Sequence, residues 1–179
     1  MKVKNIDELY DEAVTQCGST LRRLAKGWEA DPERRRDLLQ EIHIELWRSL
    51  RLFDERCSLK TWAYQVAQNV AASYILRVRR SAARLVDLET LDHETLYYRP
   101  MFVDGESSAN RHYLVSRLLD MIHRLKPLDR QIILLYLEGE PAASIAEVTG
   151  LSAANVATKI HRIKGLLNEQ SVKGAMHEE

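Results

Sequence analysis

The stretch PAASIAEVTGLSAANVATKIHRIKGLL, positions 141–167, decides how this chain is read. Two short helices that meet at a tight turn need a small residue where they touch, a glycine or similar residue at the turn, and an apolar stripe on the second helix. Ala146 supplies the contact, Gly150 the turn, and Val156, Ile160, Ile163 and Leu167 the stripe. Pro141 opens the first helix, which runs to about Val148, and Ser152 caps the second, which runs to about Leu167. The outer face of that second helix presents Asn155, Thr158, Lys159, His161 and Arg162. Polar side chains set this way reach base edges in a major groove while the cations hold phosphates. The plainer reading of the same residues is an αα-hairpin with a solvated basic face, and the rest of the chain decides between the two.

Outward from the motif, helical spacing continues in both directions. Leu114, Leu118, Leu119, Ile122 and Leu125 mark one helix, and a second begins at Lys126-Pro127, carries Ile132, Ile133, Leu135 and Tyr136, and ends at Gly139. Further back, Leu9, Ala13, Val14, Leu21 and Leu24 trace a helix from Ile6 to about Trp28, broken at Asp31-Pro32. The next helix, residues 33–52, has its stripe at Leu38, Leu39, Ile42, Leu46 and Leu50. After a polar loop over 53–58, Ser58 caps a third helix whose Trp62, Val66, Val70 and Tyr74 lie close to one face. Arg77, Arg79 and Arg80 end it, where cations also suit the helix dipole. Periodicity fades over about 81–110, which includes Gly105-Glu106-Ser107-Ser108. The fold class expected is all-α: two small helical domains, 1–82 and 111–170, joined by a linker at 83–110 and followed by a tail at 171–179.

The bulk numbers agree with that class. In 179 residues, 45% are apolar and 29% charged, with only seven Gly and four Pro. Formal net charge is zero, but residues 1–84 carry 16 Lys and Arg against 12 Asp and Glu, 85–106 carry 1 against 6, and 107–179 carry 9 against 8. So balanced a chain neutralises few phosphates by itself and is expected to bind duplex DNA weakly without a partner. No segment reads as a signal peptide or membrane span, so a cytoplasmic protein with no membrane insertion is expected. Its cysteines, Cys17 and Cys57, are expected to stay reduced. Neither a nucleophile motif, a Gly-rich phosphate loop nor metal-ligand spacing is present, and His43, His93, His112, His123, His161 and His177 are scattered. An enzyme, a metal site and a cofactor are therefore not expected.

Three blocks, DLLQEIHIELW at 37–47, LFDERCSLKTW at 52–62 and VAQNV at 66–70, closely resemble region two of bacterial sigma factors, and the C-terminal half resembles region four. With a short linker between them, the chain is similar to the extracytoplasmic-function type of the sigma-70 family. The resemblance implies a dissociable, non-catalytic subunit that directs core RNA polymerase to promoters. Its partners would be the clamp helices of the largest subunit, the flap region, promoter DNA and an anti-sigma factor. By the same resemblance, Asp37, Gln40, Glu41 and Trp47 dock the polymerase. Arg56, Ser58, Lys60 and Asn69 handle the opened −10 strand, with Arg77, Arg79 and Arg80 on its phosphates. Asn155, Thr158, Lys159, His161 and Arg162 read the −35 duplex. Asn69 also sits next to the inner face, where a buried bridging role is the alternative, and Trp62 reads as core rather than as a stacking platform.

The chain departs from the family pattern at two places. Ala157 stands where many members have Lys or Arg, and Arg34-Arg35-Arg36 replaces an acidic run before Asp37. Against a basic partner surface those cations weaken encounter, which raises phosphorylation as a compensating input. Thr61 is the conceivable acceptor, although a capping or packing role accounts for it more simply. Cys57 has no nearby resolving cysteine and reads as an inert thiol rather than a redox sensor. The alternative to a sigma factor is a stand-alone helix-turn-helix regulator, which has no reason to carry the docking helix and its loop.

Overall fold

The computed structural model describes residues 5–86 and 106–175, with side chains at 5–78, 80 and 113–169. Among these residues there are seven α-helices and no strand: α1 (Ile6–Trp28), α2 (Pro32–Ser49), α3 (Leu59–Val86), α4 (Glu106–His123), α5 (Pro127–Leu137), α6 (Ala142–Thr149) and α7 (Ala153–Ala175). A single 3₁₀ turn, Leu50–Leu52, follows α2. Most of the expected linker and the side chain of Arg79 lie outside the described residues.

Local chemistry sets most boundaries. Asp31 caps α2 by accepting from the Glu33 and Arg34 amides at 2.9 and 2.8 Å, with Pro32 at its first position. Ser58 Oγ accepts from the Thr61 amide at 3.0 Å, and Ser152 Oγ from the Asn155 amide at 3.2 Å. Gly150 ends α6 at φ +72, and its N–H donates to the Ala146 carbonyl at 2.9 Å. Three helices overrun the reading from sequence. α3 continues to Val86, α4 already begins at Glu106 inside the stretch read as linker, and α7 continues to Ala175. Good helix formers such as Ala82, Ala83, Arg84 and Leu85 carry α3 on even where no long-range stripe marks it.

In the N-terminal module, Leu21 and Leu24 of α1 pack with Leu38, Ile42 and Leu46 of α2. The buried stripe of α3 is Ala63, Ala67 and Ala71 with Ile75. Of the stripe expected from Trp62, Val66, Val70 and Tyr74, Tyr74 is buried with it, whereas Trp62, Val66 and Val70 are only partly buried and flank it. Small residues at every fourth position let α3 approach α1 and α2 closely, and the larger side chains cover the seam. In the C-terminal module, Ile122, Ile132, Ile133, Leu135, Ile145, Val156 and Ile163 form the core, with Ile160 and Leu167 partly buried beside it. The two modules share one continuous apolar cluster, joined where Leu134 of α5 meets α1 at Gly27.

Candidate nucleic-acid and polymerase interfaces

α2 seals its inner stripe and leaves an outer face open. Asp37 and Gln40 are exposed, and Glu41 is half-buried, pairing with Arg77 of α3 at 2.5 Å. Trp47 is 36% exposed, lies under the Arg51 guanidinium at 5.2 Å, and donates from its indole N–H to Asp7 at 3.0 Å. Two apolar neighbours that were missing from the sequence reading join this face, Ile44 at 49% and Leu52 at 76% exposure. The signal for Ile44 was available, since it lies two residues from buried Ile42 and so off the stripe. A groove of about 520 Å³ separates α2 from α3, lined by Glu41, Ile44 and Arg48 on one side and Asn69, Ser73 and Arg77 on the other.

The loop over 53–58 is braced from beneath. Trp62 donates from its indole N–H to Ser49 Oγ at 3.0 Å and stacks edge-on against Phe53 with ring centres 5.5 Å apart. Glu55 takes φ +61, a turn conformation uncommon for a residue with a side chain. Arg56 is exposed and paired with Asp54 at 2.8 Å. Ser58 is committed to capping α3 and also shares a 2.9 Å hydrogen bond with the Thr61 hydroxyl. Thr61 is buried, so packing accounts for it and a modifying enzyme has no access to it in this arrangement. Lys60 pairs with Glu140 at 2.6 Å and lies over the Tyr64 ring. Asn69 is exposed in the groove rather than bridging the core; the buried amide is its neighbour Gln68, which accepts from the Trp28 indole at 2.8 Å. Arg80 is exposed. Burial, then Glu147 and Asp54, push the Cys57 thiol up, which leaves less thiolate for oxidation.

On α7, Asn155, Thr158, His161 and Arg162 are exposed. Thr158 returns its hydroxyl to the Ala154 carbonyl at 3.0 Å. Lys159 and Arg162 converge on buried Asp129 of α5, at 3.2 and 2.6 Å. Asp129 was not read as part of the site: its position two residues after Pro127 signals a helix start, but its partners lie on another helix. Among the described residues no cluster of three or more His, Cys, Asp or Glu side chains could hold a metal ion, and no helix is long and apolar enough to cross a membrane.

Comparison with known proteins adds independent matches. Residues 13–81 match the family model of sigma-70 region 2, and residues 116–167 match that of sigma-70 region 4. The chain is 27% identical over 133 residues to the ECF RNA polymerase sigma factor SigX of Bacillus subtilis, covering 74% of this chain and 68% of that one. It is 26% identical over 172 residues to SigW of the same organism, covering 93% and 87%. Among solved structures, the complex of the sigma factor RpoE with the anti-sigma factor NepR from Bartonella quintana has a similar fold. Its TM-score is 0.65 at 16% identity, covering 89% of this chain and 94% of that one.

Proposed function

The chain belongs to the extracytoplasmic-function type of the sigma-70 family, and from that premise we propose how its two modules divide the work of a sigma factor. Chemistry stays with the polymerase; this subunit supplies recognition. The outer face of α2 docks the clamp helices of the largest subunit through Asp37, Gln40, Glu41 and Trp47, with Ile44 and Leu52 adding apolar area. The loop at 53–58, Lys60 and Asn69 receive the opened −10 strand, where polar contacts and stacking offset part of the unstacking cost. Arg77, Arg79 and Arg80 follow its phosphates. The Arg77–Glu41 pair is half-exposed, so it contributes at most about 1 kcal/mol and gives way readily to a phosphate or to a cation of the polymerase. α7 enters the −35 major groove with Asn155, Thr158, Lys159, His161 and Arg162, while the flap region holds the module. The site of action is the cytoplasm, where polymerase and chromosome meet.

The observation that carries this reading is the exposed apolar and charged outer face of α2, on a helix whose inner face is already sealed. A regulator acting alone on duplex DNA has no use for it. Two solved relatives in fold were determined with a bound protein, CnrH with the cytosolic domain of CnrY and RpoE with the anti-sigma factor NepR. Sequestration of this chain by an anti-sigma factor is proposed on that parallel. Run-off transcription with core polymerase on a genomic promoter library tests the function. Promoter-specific initiation that needs both components is expected; specific duplex binding by the chain alone, with no promoter-specific transcription, establishes the stand-alone regulator instead.

A further inference from the structure

A buried hydrogen bond holds the middle of α3 against α1. The inner face of α3 there is Ala63, Ala67 and Ala71, none more than 1% exposed. Alanines at every fourth position offer few knobs, and a slip of one turn, about 5.4 Å, sets alanine on alanine. Such a seam packs closely without fixing its own register. Gln68, 1% exposed, supplies a direction by accepting the Trp28 indole N–H through Oε1 at 2.8 Å. An indole only donates, so the amide must present its oxygen and turn Nε2 away. That Nε2 is buried with no hydrogen-bond partner among the described residues. A leucine or methionine would fill the same place without stranding a donor, so the amide lowers stability relative to an apolar residue of its size. Trp28 is just as fixed, with the Arg130 guanidinium 5.1 Å over its ring. Other polar ties of α3 to this module are longer, wetter or shared. The Tyr74 hydroxyl reaches the Arg34 carbonyl only at 3.4 Å, the Trp62 bond to Ser49 lies at the rim, and the Thr20 hydroxyl beside Tyr64 is also engaged by Arg23 and Glu138.

The adjoining face of α3 carries the groups assigned to the opened strand. Asn69 follows Gln68 directly, and Asn69, Ser73 and Arg77, four residues apart, form one row along the groove opposite Glu41, Ile44 and Arg48. Neighbouring side chains on a helix diverge by about 100°, so an amide anchored in the core leaves this row facing the groove. We propose that Gln68 is a positioning residue for −10 recognition, whose bond to Trp28 selects the register of α3 in which Asn69, Ser73 and Arg77 meet the strand. The inference rests on the assignment of Asn69 and Arg77 to that strand. Between packed helices, a lone buried polar group commonly sets register at a cost in stability. Here the apolar seam supplies adhesion, and Gln68 supplies the choice among its near-equivalent alignments.

The test uses holoenzyme assembled with the full chain, run-off transcription from one promoter and from copies with single-base changes in the −10 or −35 element, and calorimetry of each variant. One wrong base ordinarily lowers binding roughly tenfold. Trp28→Phe combined with Gln68→Leu makes both partners apolar and keeps a ring beneath Arg130. The smaller ring costs packing, and removal of the stranded donor offsets that loss. The double variant is expected to melt within about 5 °C of the parent, while its −10 discrimination falls from roughly tenfold to about twofold. Discrimination at −35 stays parent-like, because α7 is untouched. Gln68→Glu keeps an oxygen for the indole but buries an acid, so it should melt below the parent and still retain −10 discrimination. Undiminished −10 discrimination in the double variant, equal loss at both elements, or a loss in Gln68→Glu matching that of the double variant overturns the proposal. Asn69→Ala addresses the underlying assignment on its own: parent-like −10 discrimination there removes Asn69 from base reading, whatever the Gln68 variants do.

Discussion

Replacing Asp129 with asparagine removes one charge and little volume at the point where α5 holds the helix proposed to read the −35 duplex. The carboxylate is 7% exposed and takes Lys159 at 3.2 Å and Arg162 at 2.6 Å. The Arg162 side chain is 56% exposed, so solvent screening leaves that pair worth well under 1 kcal/mol. Lys159, at 24%, is better shielded, and its pair contributes about 1 kcal/mol. Loss of a carboxylate from the first turn of α5 adds about 0.5 kcal/mol. Asparagine keeps one acceptor, so the net cost is about 1–2 kcal/mol, a melting temperature lower by roughly 3–6 °C for a chain of this size. The same change leaves Lys159 and Arg162 without their carboxylate beside the groove. Duplex binding should then tighten at low salt, with a salt dependence steeper by about 0.9 in log–log slope, one phosphate's worth. Calorimetry and a salt series of anisotropy titrations on a duplex measure both quantities. A melting temperature within about 1 °C of the parent, with an unchanged salt slope, would refute the view that Asp129 organises the cations of α7.

Other perturbations follow from the same geometry. Ile44→Glu should weaken core polymerase binding at least tenfold in a competition assay while the melting temperature stays near that of the parent, because Ile44 is half-exposed; parent-like affinity removes the outer face of α2 from docking. Trp62→Ala deletes both the stacking on Phe53 and the hydrogen bond to Ser49. It should cost about 3 kcal/mol in urea unfolding, and a loss below about 1 kcal/mol contradicts its bracing role. Burial, and then Arg130, hold the His123 imidazole down at about 4. As pH falls from about 6.5 toward 4 the unfolded chain takes up a proton that the folded chain refuses, so stability is lost across that window and is intact above it. Between pH 7.5 and 5 this histidine should account for about 2 kcal/mol, and His123→Gln should flatten the pH profile by that amount; an identical profile for parent and variant rejects it.

The sequence by itself determined what depends on neighbours along the chain. Ala146, Gly150, Val156 and Ile163 lie within eighteen residues and specify their turn and stripe by local geometry, and Asp31, Ser58 and Ser152 cap helices through amides two or three positions away. The inner face of α3 was read correctly at Tyr74 and misjudged at Trp62, Val66 and Val70, because bulk is a poor guide to burial where helices approach closely: Ala63, Ala67 and Ala71 are inside and Trp62 is at the rim. Only the tertiary structure decided which charges meet. Asp129 finds Lys159 and Arg162, Glu140 finds Lys60, and Glu138 finds Arg23, across separations of 30 to more than 100 residues. Hydrophobic periodicity records which side of a helix turns inward but not which helix it will face. The pairing of the two modules, and with it the ion pair between Lys60 and Glu140, follows from the fit of Leu134 against Gly27 once both helices exist.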